Sequence, residues 1–174
     1  DSIDCSKNIK GIVLGKVLSV VKHENSDKLS ICKVDIGDSD YLQIICGAKN
    51  IKPNVHVYVA TIGSHLSAIN LTIKKSEIRG VMSEGMICSL QELGIEDNSE
   101  GIAIIDEEIA NKHKLGTLGA HLLDLNDYIY DLAITANRPD GMSVVGIARE
   151  ISSLLETKYS LPELKTKYKI HINN

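Results

Sequence analysis

Between Gly11 and Ile105 the chain alternates short apolar runs with polar, glycine-bearing breaks. Val13, Val17 and Val21 anchor a first strand over 11–21, with a slightly irregular alternation. Residues 29–36 alternate more strictly. Leu29, Ile31, Lys33 and Asp35 share one parity, and Ser30, Cys32, Val34 and Ile36 the other, which predicts a strand with at least one apolar face. Gly37-Asp38-Ser39-Asp40 reads as a turn and 41–46 as the return strand, so 29–46 predicts a β-hairpin. Pro53 and Asn54 mark the loop 47–54. Val55, Val57 and Val59 head a strand over 55–62, broken by Gly63-Ser64-His65. Shorter extended pieces are expected over 71–73, 86–90 and 102–105, with a helical turn over 91–94 ended by Gly94. The last of these pieces lies in a segment, 96–108, that holds six acidic side chains and no Lys or Arg, so it reads as a short buried strand between solvated loops.

A change of pattern follows Gly116 and Gly119. Residues 122–125 and 128–134 read as extended, and Asn137-Arg138-Pro139-Asp140 as a turn before a helix. Pro139 restricts Arg138 to extended backbone. Asp140 can accept from an amide near the helix start, and Arg138 is suited to pair with an acid or with nucleic acid. Over 143–156, Val144, Ile147, Ile151, Leu154 and Leu155 fall on one side at helical spacing, and Ser143 can cap the first turn. Gly146 lowers helix propensity and permits close packing. The tail from Lys158 is polar, with Lys165, Lys167 and Lys169.

These elements predict a mainly β protein with some α. Closing five or so short strands into a barrel removes their exposed edges. An OB-fold barrel is the first expectation and an open sandwich the second. The expected division is an OB-fold domain over 10–120, part of a flanking α/β domain over 121–158, and a tail or truncated segment over 159–174. The apolar side of the 143–156 helix requires a partner surface.

Composition restricts the function. Phe and Trp are absent and six Tyr are present, so Val, Ile and Leu fill the core and few rings are left to stack on bases. Net charge is −4, whereas tight nonspecific nucleic-acid binding draws on a basic surface. Local basic groupings remain: His23, Asn25 and Lys28 before a strand; Lys49, Asn50 and Lys52 in a loop; and Lys74, Lys75 and Arg79. Each is suited either to shaping its own turn or to meeting phosphate or ribose. Cys5, Cys32, Cys46 and Cys88 form no CxxC pair, which argues for reduced structural thiols over zinc. Residues 79–90 combine Gly80, Gly85, Ser83, Ser89, Arg79 and an apolar run, as a shaped turn against a strand requires. No Ser-His-Asp arrangement, nucleotide fingerprint or histidine metal pattern occurs, so no catalytic, cofactor-binding or metal residue is named. No apolar stretch reaches membrane-spanning length and no signal-peptide pattern opens the sequence, so a cytoplasmic protein is expected. A chain that begins at Asp1 reads as processed or as a fragment.

Several stretches together resemble the N-terminal region of bacterial-type phenylalanyl-tRNA synthetase β subunits. They are Gly15-Lys16-Val17, His23 through Leu29, Gln43 through Asn50, Arg79-Gly80-Val81 and Ser83 through Ser89. The more family-specific ones are Ile134 through Asp140 and Gly146-Ile147-Ala148-Arg149-Glu150. The earlier stretches are also similar to the tRNA-binding OB module of EMAP-type proteins; those around Asn137-Arg138-Pro139-Asp140 separate the two. The resemblance implies an (αβ)₂ enzyme that joins phenylalanine to tRNA-Phe with ATP and magnesium. Synthesis lies in the α subunit, and editing and anticodon reading lie beyond residue 174. It further implies that this stretch is non-catalytic and holds no cofactor itself. Its partners would be the rest of the β subunit, the α subunit and, weakly, tRNA. The tRNA-contact candidates are His23, Asn25, Lys28, Lys49, Asn50, Lys74, Lys75 and Arg79. Gly80, Ser83, Gly85, Ser89, Asn137, Arg138, Pro139 and Asp140 are expected to shape turns. Glu24 stands where the family has proline, and Gly141-Met142 where it often has Cys-Leu. An autonomous RNA-binding module and a protein-interaction module without RNA binding are the alternatives.

Overall fold

The computed structural model describes residues 2–161; the expected tail beyond Leu161 lies outside the described residues. In chain order the strands are β1 (Ser2–Asp4), β2 (Ile12–Lys22), β3 (Ser30–Asp35), β4 (Leu42–Cys46), β5 (His56–Thr61), β6 (His65–Leu66), β7 (Leu71–Thr72), β8 (Ser76–Ile78), β9 (Val81–Ser83), β10 (Gly85–Ile87), β11 (Ile104–Ile105) and β12 (Tyr128–Tyr130). Three helices, α1 (Glu107–Ala110), α2 (Gly119–Leu122) and α3 (Val144–Leu154), follow β11. Chain contacts divide into two compact units, Ser2–Tyr130 and the residues from Asp131 onward.

In the first unit the main sheet runs β10-β5-β2-β3-β4, and β11 also pairs with β5. All these pairings are antiparallel. At the open seam between β4 and β10 the chain closes through other bonds. Glu84 N–H donates to Gln43 O at 2.8 Å, and Ile45 N–H to Ser83 Oγ at 3.1 Å. The result is the nearly closed, OB-like barrel that the strand pattern predicts.

Two apolar clusters explain the sequence of β5. Val57 and Val59 point into the barrel with Val17, Cys32, Val34, Ile44, Cys46 and Ile87. Tyr58 and Ala60 face the opposite way, with Ile12, Leu14, Leu66, Leu93 and Leu122. A strand buried on both faces has no polar parity, which is why 57–60 is continuously apolar. Gly15 makes room for the packed barrel interior: a Cβ there would lie 2.6 Å from Val59 Cγ2 and 3.0 Å from Val34 Cγ1. A register shift between Val17 and Ser19 accounts for the irregular alternation of β2.

Several expectations are corrected. Residues 119–122 are helical, so the extended reading of 122–125 fails at its start. Gly119 there packs against Ile12, where a Cβ would sit 3.3 Å from Ile12 Cγ2; close approach, not chain reversal, explains the glycine. The extended segment expected over 128–134 is only Tyr128–Tyr130, which pairs with Ser2–Asp4. Acidic residues 107 and 108 open α1 rather than a loop; carboxylates in a first turn are favourable there. Residues 76–83 form an unexpected β8–β9 hairpin, with Arg79 (φ 52°) and Gly80 (φ 88°) between the closing pair Ile78 and Val81. Two successive positive φ values are what a two-residue type I′ turn requires.

The second unit contains a short 3₁₀ helix, Pro139–Met142, followed by α3. Ser143 Oγ accepts from Gly146 N–H at 3.0 Å, capping the helix as its sequence predicts. A Cβ on Gly146 would collide with the Asp140 carbonyl, so glycine allows the turn to pack onto the helix.

Candidate nucleic-acid interface

The polar loop before β3 is tied to the β8–β9 turn. His23 is buried, 1% exposed. Its Nδ1 accepts from Asn25 N–H at 3.0 Å, which leaves Nε2–H to donate to Ile78 O at 3.2 Å. This assignment fixes one neutral tautomer. Asn25 Nδ2 donates to Arg79 O, and Arg79 Nη1 returns a bond to Asn25 O, both at 3.2 Å. Two residues expected at an RNA-facing loop, His23 and Asn25, are thus latch residues between segments more than fifty positions apart. Arg79 spends its side chain on a backbone carbonyl of that latch.

Beside the latch, the seam consumes a second set of polar groups. Ser83 Oγ accepts from Ile45 N–H and donates to Gly85 O at 3.1 Å. Gln43 Nε2 donates to Met82 O at 2.9 Å. Lys75 Nζ meets Glu84 Oε1 at 2.7 Å, and this hydrogen bond holds the Glu84 carboxyl below its usual range. Ser89 and Glu92 bond reciprocally: the carboxylate accepts from Ser89 N–H and Oγ–H, and Glu92 N–H donates to Ser89 Oγ. That Ser-x-x-Glu box starts the expected 91–94 turn. Neither serine is a free nucleophile. Asn50 clamps Ile102 from both sides, donating Nδ2–H to its carbonyl at 2.9 Å and accepting its N–H at 3.0 Å.

A groove of about 660 Å³ runs along the seam. Cys46, Gly47, Lys74, Ser76, Met86 and Ser89 are among the residues that line it. Gly47 also lies beside the Lys28 carbonyl and the Leu29 side chain, bringing the Lys28 segment close to the same end. Lys28, Lys49 and Lys74 are exposed, and none makes an ion pair among the described residues. Of the eight contact candidates these three remain uncommitted, whereas Lys75 is paired with Glu84. Lys33 over the half-exposed Tyr41 ring, 4.4 Å from its centroid, was not singled out by sequence; only the hairpin register puts the two side by side.

In the second unit Arg138 grips Asp140 with Nε and Nη2 at 3.1 and 3.0 Å, and Glu150 with Nη2 at 2.8 Å. The hydrogen bond from Arg138 holds the Asp140 carboxyl below its usual range. The Asn137-Arg138-Pro139-Asp140 turn is therefore bolted to α3.

The family model described as "Putative tRNA binding domain" matches residues 12–114, from β2 to the segment after α1. The chain belongs to this tRNA-binding domain family. It is 81% identical, over 98% of its length, to a phenylalanine–tRNA ligase β subunit of Prochlorococcus marinus subsp. pastoris, covering 21% of that protein. A β subunit of the same name from a Synechococcus species is 53% identical over 94% of this chain, with 20% of its own length covered. The chain thus spans about a fifth of the length of the curated relatives it matches, corresponding to their N-terminal part. Within the tRNA-binding domain match lie the latch, the seam and the groove; α3 and the Arg138 turn lie outside it.

Proposed function

We propose that this chain is a non-catalytic region of a phenylalanine–tRNA ligase β subunit. It scaffolds that subunit and lends a weak, salt-sensitive contact to tRNA through Lys28, Lys49 and Lys74. The 81% identity to such a subunit over 98% of the chain carries the proposal. The serines of the family-like segment support it, because both are held in backbone-shaping bonds. Three exposed cations without ion-pair partners among the described residues favour phosphate, with no requirement for base stacking. The partners are the rest of the β subunit, an α subunit in an (αβ)₂ assembly, and tRNA-Phe, in the cytoplasm. No described helix is long and apolar enough to cross a membrane. ATP and magnesium belong to the activation step of the complete enzyme.

The test uses the assembled enzyme with Lys28, Lys49 and Lys74 replaced by Ala. tRNA affinity should fall, and the slope of log K against log salt should flatten by about 0.7–0.9 for each phosphate contact removed. Phenylalanine activation should be unchanged. Unaltered affinity and slope would remove the RNA contact from the proposal. The isolated chain should neither activate phenylalanine nor deacylate Tyr-tRNA; hydrolysis by the pure chain would overturn the non-catalytic assignment. The domain match over 12–114 favours an autonomous RNA-binding module as the second reading. Micromolar tRNA binding by the isolated chain, lost on the same triple substitution, would establish that reading.

A further inference from the structure

The seam groove holds polar side chains that the barrel does not use. Ser76 and Gln91 line it, and neither side chain makes a hydrogen bond among the described residues. Both are held in place through their backbones. Ser76 pairs with Ser83 in the β8–β9 hairpin, and Ser83 is tied to β4 through Ile45 N–H. Gln91 N–H donates to Ser99 Oγ at 2.9 Å. Lys74 lines the groove as well, exposed and without an ion pair among the described residues. Ile45, Ala48, Met86 and Ile87 give the lining an aliphatic part, and no aromatic ring belongs to it. Sites for small organic ligands are mostly apolar, with a few polar groups that fix orientation, and measure roughly 300–1,000 Å³. The seam groove has that make-up and a volume of about 660 Å³. All of its lining residues fall within the 12–114 domain match.

We propose that this groove receives one unpaired nucleotide of RNA, an inference that rests on the RNA contact proposed above. The base packs against Met86 and Ile87, Ser76 and Gln91 bond its edge, and Lys74 meets its phosphate. A base paired in an A-form duplex is stacked out of reach of a concave site, whereas an unpaired one can be splayed into it. Aliphatic side chains and a polarizable thioether supply the flat contact that a ring supplies elsewhere. Charge sets the orientation. Glu92 also lines the groove, and its carboxylate is held beside Ser89 by that residue's N–H and Oγ–H. A phosphate is repelled there and drawn to Lys74. The Ser76 hydroxyl and the Gln91 amide can each donate and accept, so they bond the edge of any base with little discrimination.

The chain's three methionines make the test direct. Met86 lines the groove, whereas Met82 and Met142 do not, and Met142 lies outside the domain match. The full chain, labelled with carbon-13 at the methionine methyls, is titrated at low salt with a single-stranded uridine hexanucleotide that carries one central adenosine. A blunt RNA duplex with a similar number of phosphates is the comparison. The Met86 methyl should move upfield and saturate with the single strand, through the ring current of the seated base, while Met142 stays in place. The duplex should bind without moving Met86. Ser76→Ala and Gln91→Ala should each weaken the single strand by about five-fold, the worth of one neutral hydrogen bond, and leave duplex affinity unchanged. If the hexanucleotide binds and Met86 does not move, or moves equally with the duplex, the groove is not a nucleotide site and only the lysine contact stands. If neither RNA binds at low salt, the RNA contact itself fails and this inference falls with it. The methyl readouts come from the unsubstituted chain and do not depend on whether a variant folds.

Discussion

Strand β5 and helix α3 are both short apolar segments, and they use their apolar residues in opposite ways. Val57, Tyr58, Val59 and Ala60 are all buried, two on each side of the sheet. Val144 and Leu154 of α3 are 88% and 74% exposed, and Ile151 and Leu155 are exposed as well. The barrel strand is held by apolar burial. The helix is held by its Ser143 cap, by the fit of Gly146 under Asp140 and by the Arg138–Glu150 pair. Similar hydropathy thus corresponds to different sources of stability. The largest expected effect tests this directly. Leu14→Ala, in the enclosed core, should cost about 2–5 kcal/mol in urea unfolding. Leu154→Ala should stay within about 0.5 kcal/mol. Equal costs would mean that the helix face is covered in solution.

The seam offers the next largest effect. Ser83→Ala removes the acceptor for Ile45 N–H and the donor to Gly85 O, where β9 meets β4 at the seam. Leaving a buried amide unpaired should cost about 1–3 kcal/mol. Hydrogen exchange at the Ile45 amide should accelerate before exchange in the β2–β5 ladder does. An unchanged Ile45 rate would show that the serine does not hold the seam.

The parts of this molecule that were legible in sequence are those set by local period. Alternation over 29–36 and the turn at 37–40 locate β3 and β4, and Ser143 with its helical stripe locates α3. The β8–β9 hairpin was missed because only Gly80 of its two-residue turn carries a signal. Arg79 adopts positive φ without being Asn, Asp or Gly, held by Asn25 from across the loop. The site was legible as composition but not as roles. Nothing near His23 in sequence indicates that its acceptor is Ile78, or that Asn50 will clamp Ile102. Arg138 and Asp140 find their partners within one turn and the helix after it, whereas His23, Asn25 and Arg79 bond across more than fifty positions, where local pattern carries no signal.

A smaller effect probes the helix side of the comparison. Ser143→Ala leaves the Gly146 amide without its cap and should cost about 1 kcal/mol of local helix stability. Helical circular dichroism and amide exchange over α3 should report the loss. The midpoint of barrel unfolding should remain where it is. A shift of that midpoint by as much as the helix loses would show the two units unfolding as one.

The smallest expected effect distinguishes the barrel by pH. His56 opens β5, pairs across to Lys16 of β2, and has a buried Nδ1 with no hydrogen-bond partner. Burial lowers its pKa, the Lys16 charge lowers it further, and only the Glu107 carboxylate of α1 opposes them. The unfolded chain therefore binds the His56 proton at higher pH than the folded chain does. Stability must rise with pH across that interval. The His56 contribution is complete above the unfolded value of about 6.5 and is lost as pH falls through the depressed folded value. Lowered carboxylates, such as Asp4, Glu84 and Asp140, act in the same direction but at lower pH, where unfolded carboxyls titrate. Urea-unfolding free energies measured from pH 7.5 to pH 5 should decline in the unsubstituted chain. His56→Gln should flatten that decline while keeping the drop at lower pH. If the variant kept the full slope between pH 7 and 5, the buried Nδ1 would not be its source, and other histidines would have to carry it.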